Sequence, residues 1–331
     1  MKQSSKVLVL STAALMAAFA FAARAQEGGG SAPAEPVKPH AAEIMPMTSK
    51  NLLLDVARAG EGYVAVGDRG GIIVSADGKS WTQVPVPVRA ALTAVYFADA
   101  QHGWAVGHDA TIIATSDGGK SWKLQSFKPE LEKPLLDVLF LDAQHGLACG
   151  AYGLLLATED GGATWTDVDA PAIRGDEVHF NALVKLNDGS LFIAGEAGML
   201  ALSSDQGKTW SKLKGPYDSS LFGALPLGDK GAVIFGLRGN VYMTQEVGAK
   251  KGATWTKLDT HSVASMFGGA TLPSGELAMV GLNGVILIAG VDGSVHTLQT
   301  PSGTPLSAAV PSASGLLAVG ESGVQIINAL K

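Results

Sequence analysis

Four aspartates occupy the same place in a repeated turn. Asp77, Asp117, Asp160 and Asp205 each follow a Ser or Thr by two residues and precede a Trp by four or five. Carboxylates beside hydroxyls and glycines resemble calcium-loop chemistry, but calcium takes roughly six to eight oxygens. One carboxylate per turn, with neighbours 40, 43 and 45 residues away, cannot assemble that shell. Glycoside hydrolysis is a second possible chemistry, for which Asp109, Asp176, Glu177 and Glu196 offer carboxyl groups. It needs two carboxyls about 5–10 Å apart, a separation that chain spacing does not set. Arginines offer a third, because guanidinium groups bind carboxylates bidentately. The chain has no Gly-x-Ser-x-Gly, His-Glu-x-x-His or P-loop segment. Its one cysteine, Cys149, excludes a disulfide framework, a Cys-x-x-Cys redox centre and any thiolate zinc site. The expectation is a chain with no catalytic residue, no metal and no cofactor.

The elements that must position these residues come from an internal repeat. A small-apolar run ends in Gly67, Gly107, Gly150, Gly195, Gly236, Gly281 and Gly320, at spacings of 40, 43, 45, 41, 45 and 39 residues. Three residues later stand Gly70, Ala110, Gly153, Gly198, Gly239, Gly284 and Gly323. An apolar run such as residues 92–97 or 135–140 precedes each copy, and a turn ending in Trp81, Trp122, Trp165, Trp210 or Trp255 follows five of them. A degenerate sixth turn lies at Asp292-Gly293-Ser294. Short apolar or β-branched runs bounded by Gly, Asp and Ser are strand signals. Units of about 40 residues with four strands are propeller blades. The predicted fold is all-β: a seven-bladed propeller of four-stranded blades over residues 41–331.

The seventh unit has no outer strand or Trp turn of its own. Residues 42–48 belong to no unit, and they resemble the stretch 84–87 that carries an outer strand. They are therefore expected to complete the seventh blade and fasten the ring. In each Gly-x-x-Gly turn the second glycine suits the left-handed position of a type I turn with a G1 bulge, and Ala110 marks a turn that differs.

The Asp–Trp turn is the Asp-box of the bacterial-neuraminidase-type repeat. Its Asp and hydroxyls can satisfy turn backbone groups, its Gly supplies a positive φ, and its Trp packs into the blade. The five Trp residues and the four Asp are accordingly read as structural. In a propeller, the Gly-x-x-Gly turns share one face with the connections between blades. The Asp-boxes and the first hairpin turns share the other. Arg69, Arg89, Arg174 and Arg238 fall on the first face, with His108, Tyr152, Tyr217, His179 and His261, while Arg58 lies elsewhere. The binding candidates are Arg69, Arg89, His108, Tyr152, Arg174, Tyr217 and Arg238, as a surface for carboxylates or a protein partner. His102 and His145 repeat in Asp-Ala-Gln-His-Gly on the other face and mark duplication. Cys149 takes a strand position that is Val in other units, so it reads as buried.

The 331 residues are 47% hydrophobic and 16% charged, with mean hydropathy +0.22, which suits a folded core. Residues 1–25 read as a signal peptide: two lysines, an apolar Ala-rich run and Ala23-Arg24-Ala25 before cleavage near Ala25. An uncleaved anchor is the lesser reading, because Ser11 and Thr12 interrupt the run and a span needs about 20 residues. Residues 26–40 form a Gly/Pro/Ala linker. Loss of Lys2, Lys6 and Arg24 leaves 21 basic against 30 acidic residues, a net charge of −9. That sign repels phosphate backbones, so nucleic acid is not an expected partner.

Seven such units behind a signal peptide resemble the photosystem II stability and assembly factor family, including its relatives in non-photosynthetic bacteria. Residues 97–107, from Phe97 through Gly103-Trp104 to Gly107, resemble its inner hairpin. Arg238 to Thr244 with Glu246-Val247-Gly248 resembles its fifth-blade segment. The resemblance implies a non-enzymatic accessory or assembly factor at a membrane protein complex, with an exporter of the resistance-nodulation-division type as a narrower partner. The mature chain is expected in the periplasm, monomeric and not inserted in the membrane. The alternative is a carbohydrate-active propeller, since sialidases also carry Asp-boxes. Sialidases, however, use six blades and an Arg-Ile-Pro segment, and this chain has seven units and no such segment. Residues 1–40 fused to a reporter active only after export should yield activity outside the cytoplasm; retention of the fusion in the cytoplasm contradicts the signal-peptide reading.

Overall fold

A run such as Gly-Leu-Ala-Cys-Gly (146–150) has no polar side chain to turn toward water, so as a strand it must be covered on both faces. The computed structural model describes residues 37–328, and there this run is the second strand of a blade, buried throughout. The second strands Gly103–Gly107, Leu191–Gly195, Gly231–Gly236 and Leu277–Gly281 are likewise buried along their whole length. Seven antiparallel sheets form the seven blades of a propeller, each running in chain order from an inner strand outward. The inner strands are Leu53–Ala59, Leu92–Phe97, Leu135–Phe140, Phe180–Lys185, Leu221–Leu227, Met266–Thr271 and Leu306–Ser312. Among the described residues, six blades have four strands and the seventh has three. Residues 1–25, read above as a signal peptide, and residues 26–36 of the expected linker lie outside the described residues.

The apolar interior is divided by the blades. Seven clusters of buried side chains occupy seven seams, one between each pair of neighbouring blades. The seam between the last blade and the first holds Leu317, Val319 and Ala308 against Leu53, Tyr63, Ala65 and Ile73. Packing of this kind closes the ring.

Closure by residues 42–48 is not what the structure shows. The seventh blade consists of Leu306–Ser312, Gly315–Gly320 and Gly323–Asn328. Residues 42–48 instead strap the first blade. The Ala42 N–H donates to Val86 O at 3.0 Å. Gln83 hooks the strap with both ends of its amide: Oε1 accepts from Met45 N–H (2.7 Å) and Thr48 Oγ1 (2.6 Å), and Nε2 donates to Glu43 O (2.9 Å). Pro46 has no N–H to give a ladder, and around it the segment is held mainly by the Gln83 side chain.

One contact recurs in every blade. Each inner strand carries a bulge after its first residue. The carbonyl just before the inner strand then accepts a hydrogen bond from the residue following the glycine that ends the second strand. The seven bonds are Asp68 to Leu52, His108 to Ala91, Ala151 to Pro134, Glu196 to His179, Leu237 to Ser220, Leu282 to Ser265 and Glu321 to Pro305, at 2.9–3.2 Å. A Cβ on that glycine would meet the same carbonyl, as at Gly107, where it would stand 2.0 Å from Ala91 O. The position excludes side chains for lack of room.

The turn geometry departs from a type I turn with a G1 bulge. In six blades two successive residues are left-handed: for example Arg69 (φ 53) with Gly70 (φ 69), and Tyr152 (φ 53) with Gly153 (φ 70). This is a type I′ arrangement. Ala110 (φ 46), after Asp109 (φ 58), follows the same path despite its Cβ, so its turn does not differ. Only the seventh turn fits the expected form, with Gly323 (φ 77) left-handed and Glu321 and Ser322 not.

Gly107→Ala is expected to cost about 1–3 kcal/mol or more by overpacking and to lower the melting temperature. Gly175→Ala, where an added Cβ meets nothing within 4 Å, should leave it unchanged. Equal melts for the two contradict the steric account. Trp122 is buried with Nε1 donating to Gly119 O at 3.0 Å, and its truncation to Ala should cost about 3–5 kcal/mol in urea denaturation.

Candidate functional site

Each Asp-box spends its carboxylate on its own turn. In the second blade Asp117 Oδ1 accepts from Thr115 Oγ1 (2.7 Å) and Ser121 N–H (2.9 Å), while Oδ2 accepts from Ser121 Oγ (2.6 Å). Asp160 and Asp205 repeat this with Thr158 and Thr164, and with Ser203 and Thr209. Asp77 accepts from Ser75 Oγ and from the amides of Lys79 and Ser80. Hydrogen bonds from Ser121, Thr164 and Thr209 hold Asp117, Asp160 and Asp205 down to about 2. The indoles of Trp81 and Trp210 close the turns by donating to Gly78 O and Gly207 O. Trp165 instead donates to Gln125 Oε1 at 3.4 Å. In the fifth blade the stretched turn has no Asp, and Trp255 Nε1 is buried without a partner among the described residues. Trp104, outside the box, lies flat on Phe140 at 3.4 Å between centroids and donates to Gly161 O across the seam. His102 and His145 on this face pair with Asp99 and Asp142 in their own turns.

On the opposite face, the seven hydrogen bonds described above draw the Gly-x-x-Gly turns against the connections between blades. The four arginines there do not converge. Arg69 sits in the first blade's turn, whose Gly70 backbone packs on the connection that carries Arg89: a Cβ on Gly70 would stand 2.1 Å from Val88 O. Each arginine is half-exposed, with a long contact to Asp68 (3.6 Å) and Glu43 (3.5 Å) respectively. Arg174 is committed elsewhere. It forks onto Asp167 at 2.6 and 2.8 Å and also donates to Leu155 O, pinning the third blade's outer strand. Arg238 has no ion pair among the described residues and lines a hollow of about 620 Å³ with Lys257, Asp259, His261 and Val263. His108 is exposed beside Asp109. Tyr152 packs edge-on to His179, and its N–H donates to His179 Nδ1 at 3.1 Å. Tyr217 is half-buried, its hydroxyl 3.4 Å from Leu237 O.

The same face exposes apolar side chains that the sequence reading passed over: Leu52, Leu131, Val263 and Leu282, besides Tyr152. Val263 is 86% exposed in a connection between blades. An apolar residue placed in a turn or connector, where no core can take it, was the signal available. Of the carboxyls considered for hydrolysis, Asp176 pairs with Lys212, and Glu196 accepts from His179 N–H at 3.2 Å.

The inner strands surround a central channel of about 480 Å³. Asp55 and Asp137, at equivalent strand positions, open onto it. Asp55 Oδ1 accepts from Val56 N–H, and Oδ2 accepts from Val95 N–H of the next blade, both at 2.8 Å. Asp137 bridges Val138 N–H (2.8 Å) to Leu183 N–H (2.7 Å) in the same way. Burial pushes both carboxyls up to about 7, and charge on Asp137 adds to the effect at Asp55. The repeated Leu-Leu-Asp-Val at 53–56 and 135–138 was the sequence signal for this pair. Thr93 Oγ1 donates to Leu135 O (2.7 Å) across the seam between the second and third blades, and Asn181 Nδ2 to Leu221 O (2.9 Å) across that between the fourth and fifth. Phe222 and Phe267 meet at 5.5 Å on the far side. Cys149 is buried behind the channel wall, its thiol pushed well up by burial.

Known proteins with related sequences and folds bear on this arrangement. A family model described as "Photosynthesis system II assembly factor YCF48" matches residues 73–134 and 124–287. A chloroplastic photosystem II stability/assembly factor HCF136 from Cyanidioschyzon merolae is 38% identical over 53 residues, 15% of this chain and 12% of that protein. The photosystem II assembly protein Ycf48 of Thermosynechococcus vestitus is 37% identical over 51 residues, 15% of each. These matches thus span only about one-eighth to one-seventh of the relatives' length. Among solved structures, YCF48 bound to D1 peptide aligns with TM-score 0.67 at 17% identity, over 89% of this chain and 98% of that one. Virginiamycin B lyase of Staphylococcus aureus aligns with TM-score 0.70 at 11% identity, over 88% and 99%, a likeness of fold. Because the family model runs over most of the blades, from residue 73 to residue 287, this chain belongs to the photosystem II assembly factor YCF48 family.

Proposed function

We propose that this propeller is an exported, non-enzymatic assembly or accessory factor that holds a polypeptide segment of a membrane protein complex on the face of its Gly-x-x-Gly turns. One observation carries the reading: this face combines exposed apolar side chains (Leu52, Leu131, Tyr152, Val263 and Leu282) with the exposed arginines Arg69, Arg89 and Arg238. Apolar and aromatic side chains sharing one face with exposed guanidinium groups suit a protein partner that carries acidic residues. The Asp-box face, by contrast, has its carboxylates bound within their own turns. The structure of YCF48 bound to D1 peptide supports peptide capture by this fold. A subunit of a resistance-nodulation-division type exporter is the narrower partner we propose, on the family resemblance.

Arg174 is left out of the proposed contact surface, because its bond to Asp167 makes it a structural residue. The double variant Arg69→Glu/Arg238→Glu, isolated with detergent-solubilised membranes, should lose co-purifying membrane proteins while keeping the parent melting temperature. Arg174→Glu should lower the melt. Full retention of the partner by a folded double variant would sink the assignment of the basic face, and an exporter subunit among the lost proteins supports the narrower partner.

A further inference from the structure

The seventh blade ends on an open edge. Its third strand, Gly323–Asn328, pairs with Gly315–Gly320 without a break and has no fourth strand beside it among the described residues. In three other blades the first carbonyl of this pairing accepts from the outer strand: Val84 N–H donates to Ile72 O, Val168 N–H to Leu155 O and Leu258 N–H to Val241 O, at 2.9–3.0 Å. Val324, opposite Val319 as Ile72 is opposite Val66, holds this place in the seventh. Backbone groups alternate sides along an antiparallel strand, so those of Val324 and Ile326 face outward and those of Gln325 face the sheet. Ile326 is 40% exposed, whereas Val74 and Ile288 at the equivalent place are half-buried and buried.

The six complete blades show what such an edge holds. Opposite the position of Ile72 their outer strands carry Val84, Ser126, Val168, Leu213, Leu258 and Leu298. All but Ser126 are apolar, and each of these packs into the seam that follows its blade. Beside Val84 and Val168 the next blade's Asp-box indole, Trp122 or Trp210, is buried. In the seam from the seventh blade to the first, Val324 meets Trp81, which is half-buried. The edge also lacks the usual protections of an exposed strand. Gly-Val-Gln-Ile-Ile-Asn has no charge, no proline and no bulge, while Lys123, Lys212 and Lys257 stand in three of the outer strands.

We propose that this edge takes an extended segment of a partner protein as its fourth strand, antiparallel to Gly323–Asn328 and carrying a Leu or Val opposite Val324. The chain's own N-terminal residues pass the edge by. In other blades the carbonyl packed on the turn's second glycine, that of Val88, Tyr217 or Ser262, follows the outer-strand residue Val84, Leu213 or Leu258 by four. At Gly323 that carbonyl is Ser49's, but four residues earlier the Met45 N–H is bonded to Gln83 of the first blade. Residues 26–36, between the expected cleavage site and the strap, contain no Val, Leu, Ile or aromatic residue. Residues 329–331, directly after the strand, are too few to turn back along it. A second copy does not suit the edge either. The edge is recessed by about one strand spacing, 4.7–4.9 Å, behind the outer strands on both sides, Thr82–Gln83 and Val295–Gln299, so the flanks of two copies hold their edges apart. A single extended segment fits the recess. The site lies on the rim and does not depend on the face proposed above.

A synthetic peptide of residues 293–300, the chain's own outer strand around Leu298, is the probe. Added to the full chain at about ten times its dissociation constant, it should slow hydrogen exchange of the Val324 and Ile326 amides about tenfold and that of Gln325 less. The same peptide with Leu298→Asp should slow neither. Ile326→Lys and Ile326→Pro alter only the outward side of the strand, and each should weaken peptide binding on the order of tenfold at an unchanged melting temperature. No slowing at Val324 and Ile326, or undiminished binding by both folded variants, overturns the proposal. So does protection of the two amides in the monomeric chain without peptide, which assigns the edge to the chain's own residues. Protection that rises with chain concentration alongside a dimer in sedimentation overturns it in favour of a second copy. None of these readings involves Arg69 or Arg238, so the edge and the basic face fail separately.

Discussion

Everything in this ring depends on how closely a carbonyl can approach a strand. Before each inner strand the backbone carbonyl points at the end of the second strand and accepts the next amide, and only glycine leaves room for it. The bond fixes the inner bulge, joins the turn to the connection between blades and so defines the face on which exposed residues gather. The glycine excess follows from it: the seven Gly-x-x-Gly turns take 13 of the 42 glycines, with Ala110 in the remaining slot. The stabilising apolar burial lies in seven separate seams, and these brackets keep each blade at the tilt that fills them.

The blade count was legible because that steric demand puts a glycine at a nearly constant interval, and the Asp-box repeats hydroxyl, carboxylate and indole at fixed offsets. What the sequence hid were choices made by single side chains. Gln83 captures residues 42–48 through its amide, and a side-chain hook leaves no periodic trace. Ala110 keeps the left-handed path of its glycine counterparts because the turn around it is over-determined by the bracket at His108. The positions of the arginines were readable from turn and connector membership. Their availability was not, since Arg174 is neutralised by Asp167 across the end of an outer strand. The two channel aspartates were in plain sight within a repeated Leu-Leu-Asp-Val, but an inner strand read by its apolar pattern gives no cue that one carboxyl reaches the next blade.

Charge is thus sorted by depth. Carboxylates in the Asp-box turns sit among donors and stay ionised, which rigidifies that face. The two in the channel wall sit where burial outweighs their amide bonds. The remaining face keeps its arginines and apolar side chains least committed to the fold, the condition a docking surface requires.

Partner capture is proposed for the face of the Gly-x-x-Gly turns. A photo-crosslinking side chain placed at Tyr152 or Leu282, compared in intact cells with one at Lys120 or Val291 on the Asp-box face, tests it most directly. Membrane-protein adducts are expected from the first pair and none from the second. Adducts formed from Lys120 or Val291, with none from Tyr152 or Leu282, would contradict it.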